Sequence, residues 1–507
     1  MADILTQIIE KRRADIERLG VTFGREIPGE RTRPIHSFLS GLDGDAARGV
    51  ILEVKRASPS KGDIAPELNA GETALSYAEA GAAAISCLTE QNFFKGSLKD
   101  LMEVCRAVDD FSAQTGRPAP AVLRKDFLLN AEEVEVAYRA GADAVLLIAR
   151  ILTKETLLEM ARTVVKCGLS ALVEVRSDED LEKIASVFGG VEFPGLTGKN
   201  GRFVFGVNSR DLATFKIDLL RPSMMSGKIR EAVGKDARIV FESGVTTCEC
   251  AAAVGAMGFS GLLLGEAAAK NPEARAALVR AFTGAKLTKN AEFWRDFCDK
   301  RVNDTLVKIC GLTRFEDAKL ADNLGAAFLG FIFADAFPRS LTHGVRLSIL
   351  LPRLEELKAK KIAVIVDIDS EESKTAAKLV KNGIFDALQF HKIPYEKIST
   401  ETPELLTLPH YFAADNVEDC EKLIKNGELR VLLDSREIVN SEEIYSSSSK
   451  STYEIKWFAG GITPENAEKI IKNLHPELID VSGGVEIENQ TGIKDEKKLK
   501  KIMSFPN

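Results

Sequence analysis

Residues 50–54 read VILEV, and over 55–62 the chain changes to KRASPSKG. A short apolar run that stops at charges and a Ser-Pro-Ser turn is a strand buried on both faces. A strand with one wet face would alternate instead. One such run decides little, but the pattern recurs. It returns as AAISCLT (83–89), PAVLRK (120–125), DAVLLI (143–148), SALVEV (170–175), FVFGVN (203–208), RIVFES (238–243) and GLLLGE (261–266). Helical patterns such as AEEVEVAYRA (131–140) and DEDLEKIASVF (178–188) lie between the runs. Strand–helix alternation implies a parallel sheet, and eight units are the count of a barrel.

The count then starts again. LVKIC (306–310), AAFLGFIF (326–333), KIAVIVD (361–367) and DALQFH (386–391) open a second series. PHYFAA (409–414), LRVLLDS (429–435), IKWFAGG (455–461) and LIDVSGG (478–484) complete it. The expected fold class is therefore α/β, with two tandem (β/α)8 TIM barrels. The rival is a pair of doubly wound open sheets, which usually need fewer strands. The expected domains are a barrel over 1–285, a helix plus linker over 286–303, and a second barrel over 304–507. The polar connection Ser435–Glu454 is unusually long; loops beyond about 12–15 residues tend to be functional or mobile.

Composition narrows the class. Over 507 residues, 45% hydrophobic and 28% charged side chains describe a globular protein. A net charge of -7 with no basic stripe gives no reason to expect a nucleic-acid partner. The opening MADILTQIIEKRRADIERLG carries Ile4, Leu5, Ile8, Ile9, Ile16 and Leu19 at helical spacing. It has neither the unbroken apolar core nor the cleavage site of a signal peptide. ADAVLLIARIL (142–152) is too short to span a membrane and carries Arg150. A cytoplasmic, membrane-free monomer is the expectation. The eight cysteines show no CxxC pair and no zinc-site spacing. GxxxxGK[ST] and HExxH are also missing, so no metal or redox cofactor is expected.

Barrels build their sites at the C-terminal ends of the strands. In the first series those ends carry Glu53 and Lys55, Glu90, Lys125 and Asp126, Glu174, Asn208 and Arg210, and Glu242 with Ser243. Lysines and glutamates converging on one mouth are the groups proton-transfer chemistry requires, once their pKa values are pushed apart. SGV (243–245) and LGE (264–266) place glycines after strands seven and eight, where barrels often bind phosphate. In the second series Cys310 ends the first strand and Asp434 the sixth. A neighbouring cation brings a thiol towards neutrality, and Lys308 and Arg314 are the cations nearest in sequence. A thiolate base facing a carboxylic acid suits proton movement between adjacent carbons.

The wording of these stretches resembles two families. ILEVKRASPSKG (51–62), LTEQNFFKGS (88–97), VLRKDF (122–127), LVEV (172–175), GVNSRDLATF (206–215) and FESGV (241–245) resemble indole-3-glycerol-phosphate synthase, to about residue 284. The resemblance implies an anthranilate-derived sugar phosphate as substrate, cyclised with loss of carbon dioxide and water. It implies Lys125 as general acid, Glu174 as its acid–base partner, Lys55 against the substrate carboxylate and Glu53 setting the charge of Lys55. It further implies Asn208 and Glu242 on the sugar hydroxyls and reacting nitrogen, and Ser58 on the anthranilate end. Gly244, Gly265 and the backbone of Glu266 would hold phosphate, with Arg210 and Ser243 as neighbouring substrate contacts. Two positions depart from the family: Ser209 replaces an asparagine, and Glu266 a serine.

VKICGLTRFEDA (307–318), GFIFADAFPRS (330–340), LQFH (388–391), VLLDS (431–435), FAGGITPEN (458–466), DVSGGVE (480–486) and GIKD (492–495) resemble phosphoribosylanthranilate isomerase over about 305–505. That family turns an aminoaldose phosphate into the aminoketose the first barrel would consume. The resemblance implies Cys310 as general base, Asp434 as general acid and Arg339 on the anthranilate carboxylate. Gly460, Gly461, Ser482 and Gly483 would surround the phosphate. His391 is a substrate contact or a strand-end histidine, and Asp480 a sugar contact or a helix-cap partner. Lys392 stands where the family commonly has glycine, and the 435–454 stretch replaces a glycine-rich lid. The expectation is a bifunctional enzyme performing consecutive steps. Its rivals are a synthase carrying a degenerate second barrel, a non-catalytic assembly protein, and two barrels acting on unrelated sugar phosphates.

Overall fold

The computed structural model describes residues 4–38, 48–198, 201–211, 214–299, 305–436, 448 and 450–505. Most of the expected 435–454 loop therefore lies outside the described residues. The chain divides into compact units at 1–286 and 287–507.

In the first unit, β1 (Gly49–Val54), β2 (Ala84–Leu88), β3 (Ala121–Lys125), β4 (Ala144–Ile148), β5 (Ser170–Glu174), β6 (Phe203–Asn208), β7 (Ile239–Glu242) and β8 (Gly261–Leu264) close into a parallel barrel. Closure is visible at one residue, since Leu52 of β1 stands opposite both Ile85 of β2 and Leu264 of β8. All six residues of β1 are buried, as the continuous apolar run requires. Inward side chains such as Ile51, Leu123, Leu172, Val204 and Leu263 fill the barrel, so it is a packed core rather than a pore.

The expected helices form where caps allow. Asn130 accepts the N–H of Glu133 to start Ala131–Arg139, and Ser177 with Asp180 makes a capping box for Asp178–Phe188. The N-terminal helix Ile4–Leu19 buries Leu5, Ile8, Arg12 and Asp15 along one face. Leu5 and Ile8 join the apolar cluster of the barrel interior.

The second unit repeats the architecture. β9 (Leu306–Ile309), β10 (Phe328–Ile332), β11 (Lys360–Ile365), β12 (Ala387–His391), β13 (His410–Ala414), β14 (Val431–Asp434), β15 (Trp457–Ala459) and β16 (Leu478–Val481) form the second closed barrel. Ile309 of β9 closes it against Leu329 and Val481.

Within the segment expected as a helix plus linker, a helix runs over Lys289–Asp299. That helix buries Trp294, whose ring lies 5.5 Å from Trp457 at the start of β15. Phe297 lies 6.0 Å from Phe328 at the start of β10. These aromatics stop the N-terminal end of the second barrel, so the helix belongs to that unit's core. No helix among the described residues is long and apolar enough to cross a membrane.

Candidate active site

Parallel strands bring all their C-terminal ends to one rim of each barrel. At the end of β3 three adjacent charges, Arg124, Lys125 and Asp126, are sorted by the alternation of strand side chains. Arg124 and Asp126 turn outward into a buried ion cluster. Asp126 accepts from Arg12 at 2.6 Å and from Arg124 at 3.2 Å, and Arg12 also pairs with Glu133. Lys125 turns into the mouth. Its Nζ donates to Glu242 Oε2 of β7 at 2.8 Å and lies 3.8 Å from Glu53 Oε2 of β1. Lys55 Nζ sits 2.6 Å from the other oxygen of Glu53.

Burial alone would drive the proton off Lys125, but Glu242, Glu53 and Glu174 reverse that and hold the ammonium well above its ordinary range. Burial also opposes the charge of Glu53, yet Lys55 and Lys125 keep it below the usual carboxylate range. Glu174 has no such cation in contact. Burial and the charge of Glu242 push it up to about 7. One mouth thus holds a charged lysine, an ionised Glu53 and a Glu174 carboxyl poised near neutrality. Glu53 Oε2 and Glu242 Oε1 are buried with no hydrogen-bond partner, so both retain acceptor capacity.

Every residue that the synthase resemblance implies lines a single cavity except Glu242, which accepts from Lys125. Ser243 and Gly244 both take positive φ, at +70° and +83°, and turn the chain sharply off β7. Ser209 donates its hydroxyl to the Ser243 carbonyl at 3.0 Å, which gives this departure from the family a structural use. A Cβ on Gly265 would fall 2.6 Å from Glu53 Oε1 and 2.8 Å from Lys55 Nζ, so glycine is what lets that ion pair exist. Glu266 begins the next short helix and directs its carboxylate to Lys270 at 2.8 Å. Asn208 accepts the backbone N–H of Arg210 at 3.0 Å, and Arg210 reaches the Phe215 carbonyl at 3.5 Å. Ser58 pairs loosely with Ser60 at 3.4 Å.

Two strand-end acids do not serve the cavity as catalytic groups. Glu90 is spent on the backbone N–H groups of Asn92, Phe93 and Phe94, at 2.9, 2.7 and 2.9 Å. Asp126 belongs to the ion cluster. The apolar wall was not read from the sequence: Ile4 and Ile8 of the N-terminal helix, with Phe94 and Phe127, line the same cavity. The aromatics were visible in NFFKGS and KDF as motif letters, without any sign that they faced the site.

In the second barrel Cys310 follows β9 and is buried. Of the two cations near it in sequence, Arg314 turns to Asp317 at 2.6 Å, whereas Lys308 Nζ lies 3.5 Å from Cys310 Sγ. The expectation that a neighbouring cation brings this thiol towards neutrality is corrected. Burial dominates and pushes the Cys310 thiol up, and Lys308 only partly offsets it. Asp480 is neither a cap partner nor free to meet a sugar through both oxygens, because its Oδ2 accepts from Lys308 at 2.5 Å. Asp434 ends β14, with His391 Nε2 of β12 3.8 Å from its Oδ2. Burial lowers the pKa of His391, against the opposing pull of Asp434.

Arg339 is gripped by Glu486 in a two-pronged pair, 2.7 Å at each prong. Gly483, at the end of β16 beside Ser482, lies close to that guanidinium, since a Cβ there would be 3.2 Å from its Nη2. Gly460 and Gly461 both take positive φ just after β15. Lys494, a letter of GIKD not singled out from the sequence, donates to the carbonyls of Cys310 at 2.7 Å and Ser482 at 3.1 Å. It ties Cys310 and the glycine turn together.

The model of the indole-3-glycerol phosphate synthase family matches residues 5–281, and that of N-(5'-phosphoribosyl)anthranilate isomerase matches 307–504. An indole-3-glycerol phosphate synthase of Bacillus mycoides is 34% identical over 53% of this chain and 93% of its own length. A multifunctional tryptophan biosynthesis protein of Schizosaccharomyces pombe is 28% identical over 90% of this chain, which spans only 59% of that relative. The tryptophan biosynthesis protein TRP1 of Phytophthora nicotianae is 29% identical, with 87% of this chain and 88% of that protein covered. The chain belongs to the indole-3-glycerol phosphate synthase family, and its second barrel is an N-(5'-phosphoribosyl)anthranilate isomerase domain.

Proposed function

We propose that the chain carries out two consecutive steps of tryptophan biosynthesis. The second barrel rearranges phosphoribosylanthranilate to the carboxyphenylamino-deoxyribulose phosphate. The first barrel then closes, decarboxylates and dehydrates that product to indole-3-glycerol phosphate. In the isomerase step Asp434 protonates the ribose ring oxygen, which opens the ring to an iminium. Cys310 takes the proton from the adjacent carbon, and the resulting enolamine settles as the ketone. Arg339 meets the anthranilate carboxylate, His391 supports Asp434, and the turns at Gly460, Gly461, Ser482 and Gly483 receive the phosphate.

In the synthase step Lys125 protonates the ketone oxygen as the ring closes, and Glu174 takes and returns the proton of the later dehydration. Lys55, held by Glu53, meets the substrate carboxylate. Glu242 and Asn208 hold the sugar and nitrogen, and Ser58 the aromatic end. The backbone at Gly244, Gly265 and Glu266, with Arg210 and Ser243 nearby, takes the phosphate. The observation that carries this reading is the pairing at one mouth of a firmly charged Lys125 with a Glu174 lifted to about 7. An acid and a proton shuttle with separated pKa values are what cyclisation followed by dehydration needs.

Each barrel's candidate residues come from its own unit, which supports action as a monomer. Eight free cysteines support a reducing, cytoplasmic setting. The test is purified chain given freshly generated phosphoribosylanthranilate, followed by indole absorbance and anthranilate-type fluorescence. Indole glycerol phosphate is the expected product. Product only from supplied aminoketose reduces the second barrel to a structural module, and no product from either substrate overturns the reading.

A further inference from the structure

A lysine in the middle of a barrel strand is costly to bury unless its charge is matched and its donors are used. Lys308 of β9 is fully buried. Its ammonium has three N–H groups, and Asp480, Gln389, Cys310 and the Tyr411 hydroxyl lie around it. Asp480 Oδ2 of β16 lies at 2.5 Å, Gln389 Oε1 of β12 at 2.6 Å and Cys310 Sγ at 3.5 Å. Gln389 is itself fixed, because Tyr411 of β13 donates to the same oxygen at 2.9 Å. The remaining side is closed by Gly330 of β10. A Cβ there would stand 2.7 Å from Cys310 Sγ and 2.9 Å from Lys308 Cε. Two short contacts thus anchor the ammonium beside the sulfur, and a glycine keeps the space in which sulfur and ammonium meet.

We propose that Lys308 is the positioning residue that makes Cys310 a base: clamped by Asp480 and Gln389, it holds a fixed positive charge against the sulfur where the thiolate forms. This rests on the reading of Cys310 as the general base. The other charges around the thiol act less directly. Lys494 bonds the Cys310 carbonyl rather than its sulfur and lies 3.3 Å from Glu486. Arg339 is taken by Glu486. Asp480 opposes the thiolate, while Asp434 and His391 face each other across the rim and Tyr411 is bound to Gln389. Among the causes acting on the thiol, Lys308 is the strongest pull towards ionisation.

The test uses the full chain, with the melting transition of its second barrel as the check on folding. Isomerase kcat/KM is measured against pH for Lys308→Met and Asp480→Asn. Alkylation of Cys310 by iodoacetamide, located by peptide mass spectrometry, is followed over the same range. Lys308→Met moves both midpoints up by at least about one pH unit, which slows alkylation about tenfold at neutral pH. Asp480→Asn moves both midpoints down, since the ammonium then faces sulfur with no competing anion. Loss of packing alone would not move the two variants in opposite directions.

Unmoved midpoints in Lys308→Met overturn the proposal even if turnover falls. If that variant loses its second barrel on melting, Asp480→Asn decides, and an upward or absent shift overturns it. Should Cys310→Ala keep isomerase activity, the base reading fails, while the alkylation midpoints still judge Lys308.

Discussion

The two barrels share one architecture but treat a buried lysine in opposite ways. In the first, Lys125 faces the mouth among carboxylates, and burial together with the charge of Glu242 lifts Glu174 to about 7. In the second, Lys308 sits beneath the rim with its donors committed, and the group left to titrate is a thiol. The first site stores its spare proton on an acid next to a cation. The second holds a cation ready for an anion not yet formed. One fold thus accommodates both devices, because what differs is which residues point inward at the rim and just beneath it.

The comparison breaks most simply if one site's chemistry depends on the other's. Lys125→Met is expected to cut the synthase about 10²–10⁴-fold, the range for loss of a positioned acid, while the isomerase is untouched. Cys310→Ser is expected to do the reverse with a similar factor. Separate assays with the aminoketose and with phosphoribosylanthranilate check both. Loss of both activities in either variant would mean that the two sites are not independent.

The next effect concerns stability. Trp294→Ala removes the ring that stops the second barrel and should cost that unit about 3–5 kcal/mol, leaving the first unit's transition in place. Denaturation followed by the two activities separates the units. A change in the synthase transition instead would assign the helix to the wrong partner. Glu174 gives a pH-dependent counterpart. Its folded pKa, near 7, lies above the unfolded carboxylate range, so the native state binds the extra proton between about pH 4.5 and 7. Stability is therefore lost as pH rises through that window, by up to about 3 kcal/mol. Glu174→Gln should lack this slope and be the more stable chain at pH 8, although inactive. Equal pH slopes in the two proteins would contradict the raised pKa.

Much of this is legible in the sequence. Strands in a closed parallel barrel are buried on both faces, so each betrayed itself as an apolar run, and the residue ending each run marked the rim. What the sequence hid were charges doing structural work. Arg12 and Asp15 look like the wet side of an amphipathic helix, yet both are buried, Arg12 against Asp126 and Glu133. Glu90 has the right strand-end position but turns back to cap its own loop. Lys308 carried no direction, because the acceptors that fix it lie 81 and 172 residues away. The aromatic helix at Lys289–Asp299 has polar neighbours in sequence, which hide the core it packs into. Only the open end of the barrel explains its tryptophan.

The smallest effect sharpens the comparison at a single backbone position. Where the isomerase family commonly has glycine after the fourth-strand histidine, this chain has Lys392, and its φ is +60°. An L-residue with a long side chain pays a steric cost in that left-handed conformation, of order 1 kcal/mol, which glycine escapes. The ion pair Lys392 makes with Asp415 repays little, since the two side chains are 39% and 58% exposed. Lys392→Gly is therefore expected to stabilise the second unit by roughly 0.5–1 kcal/mol, reduced by the extra freedom glycine brings to the unfolded chain. Isomerase kinetics should be unchanged, because the turn keeps its shape and His391 its approach to Asp434. Equilibrium denaturation followed by isomerase activity measures the gain. A net loss of stability would show that Lys392 makes a contact stronger than its exposed pair with Asp415.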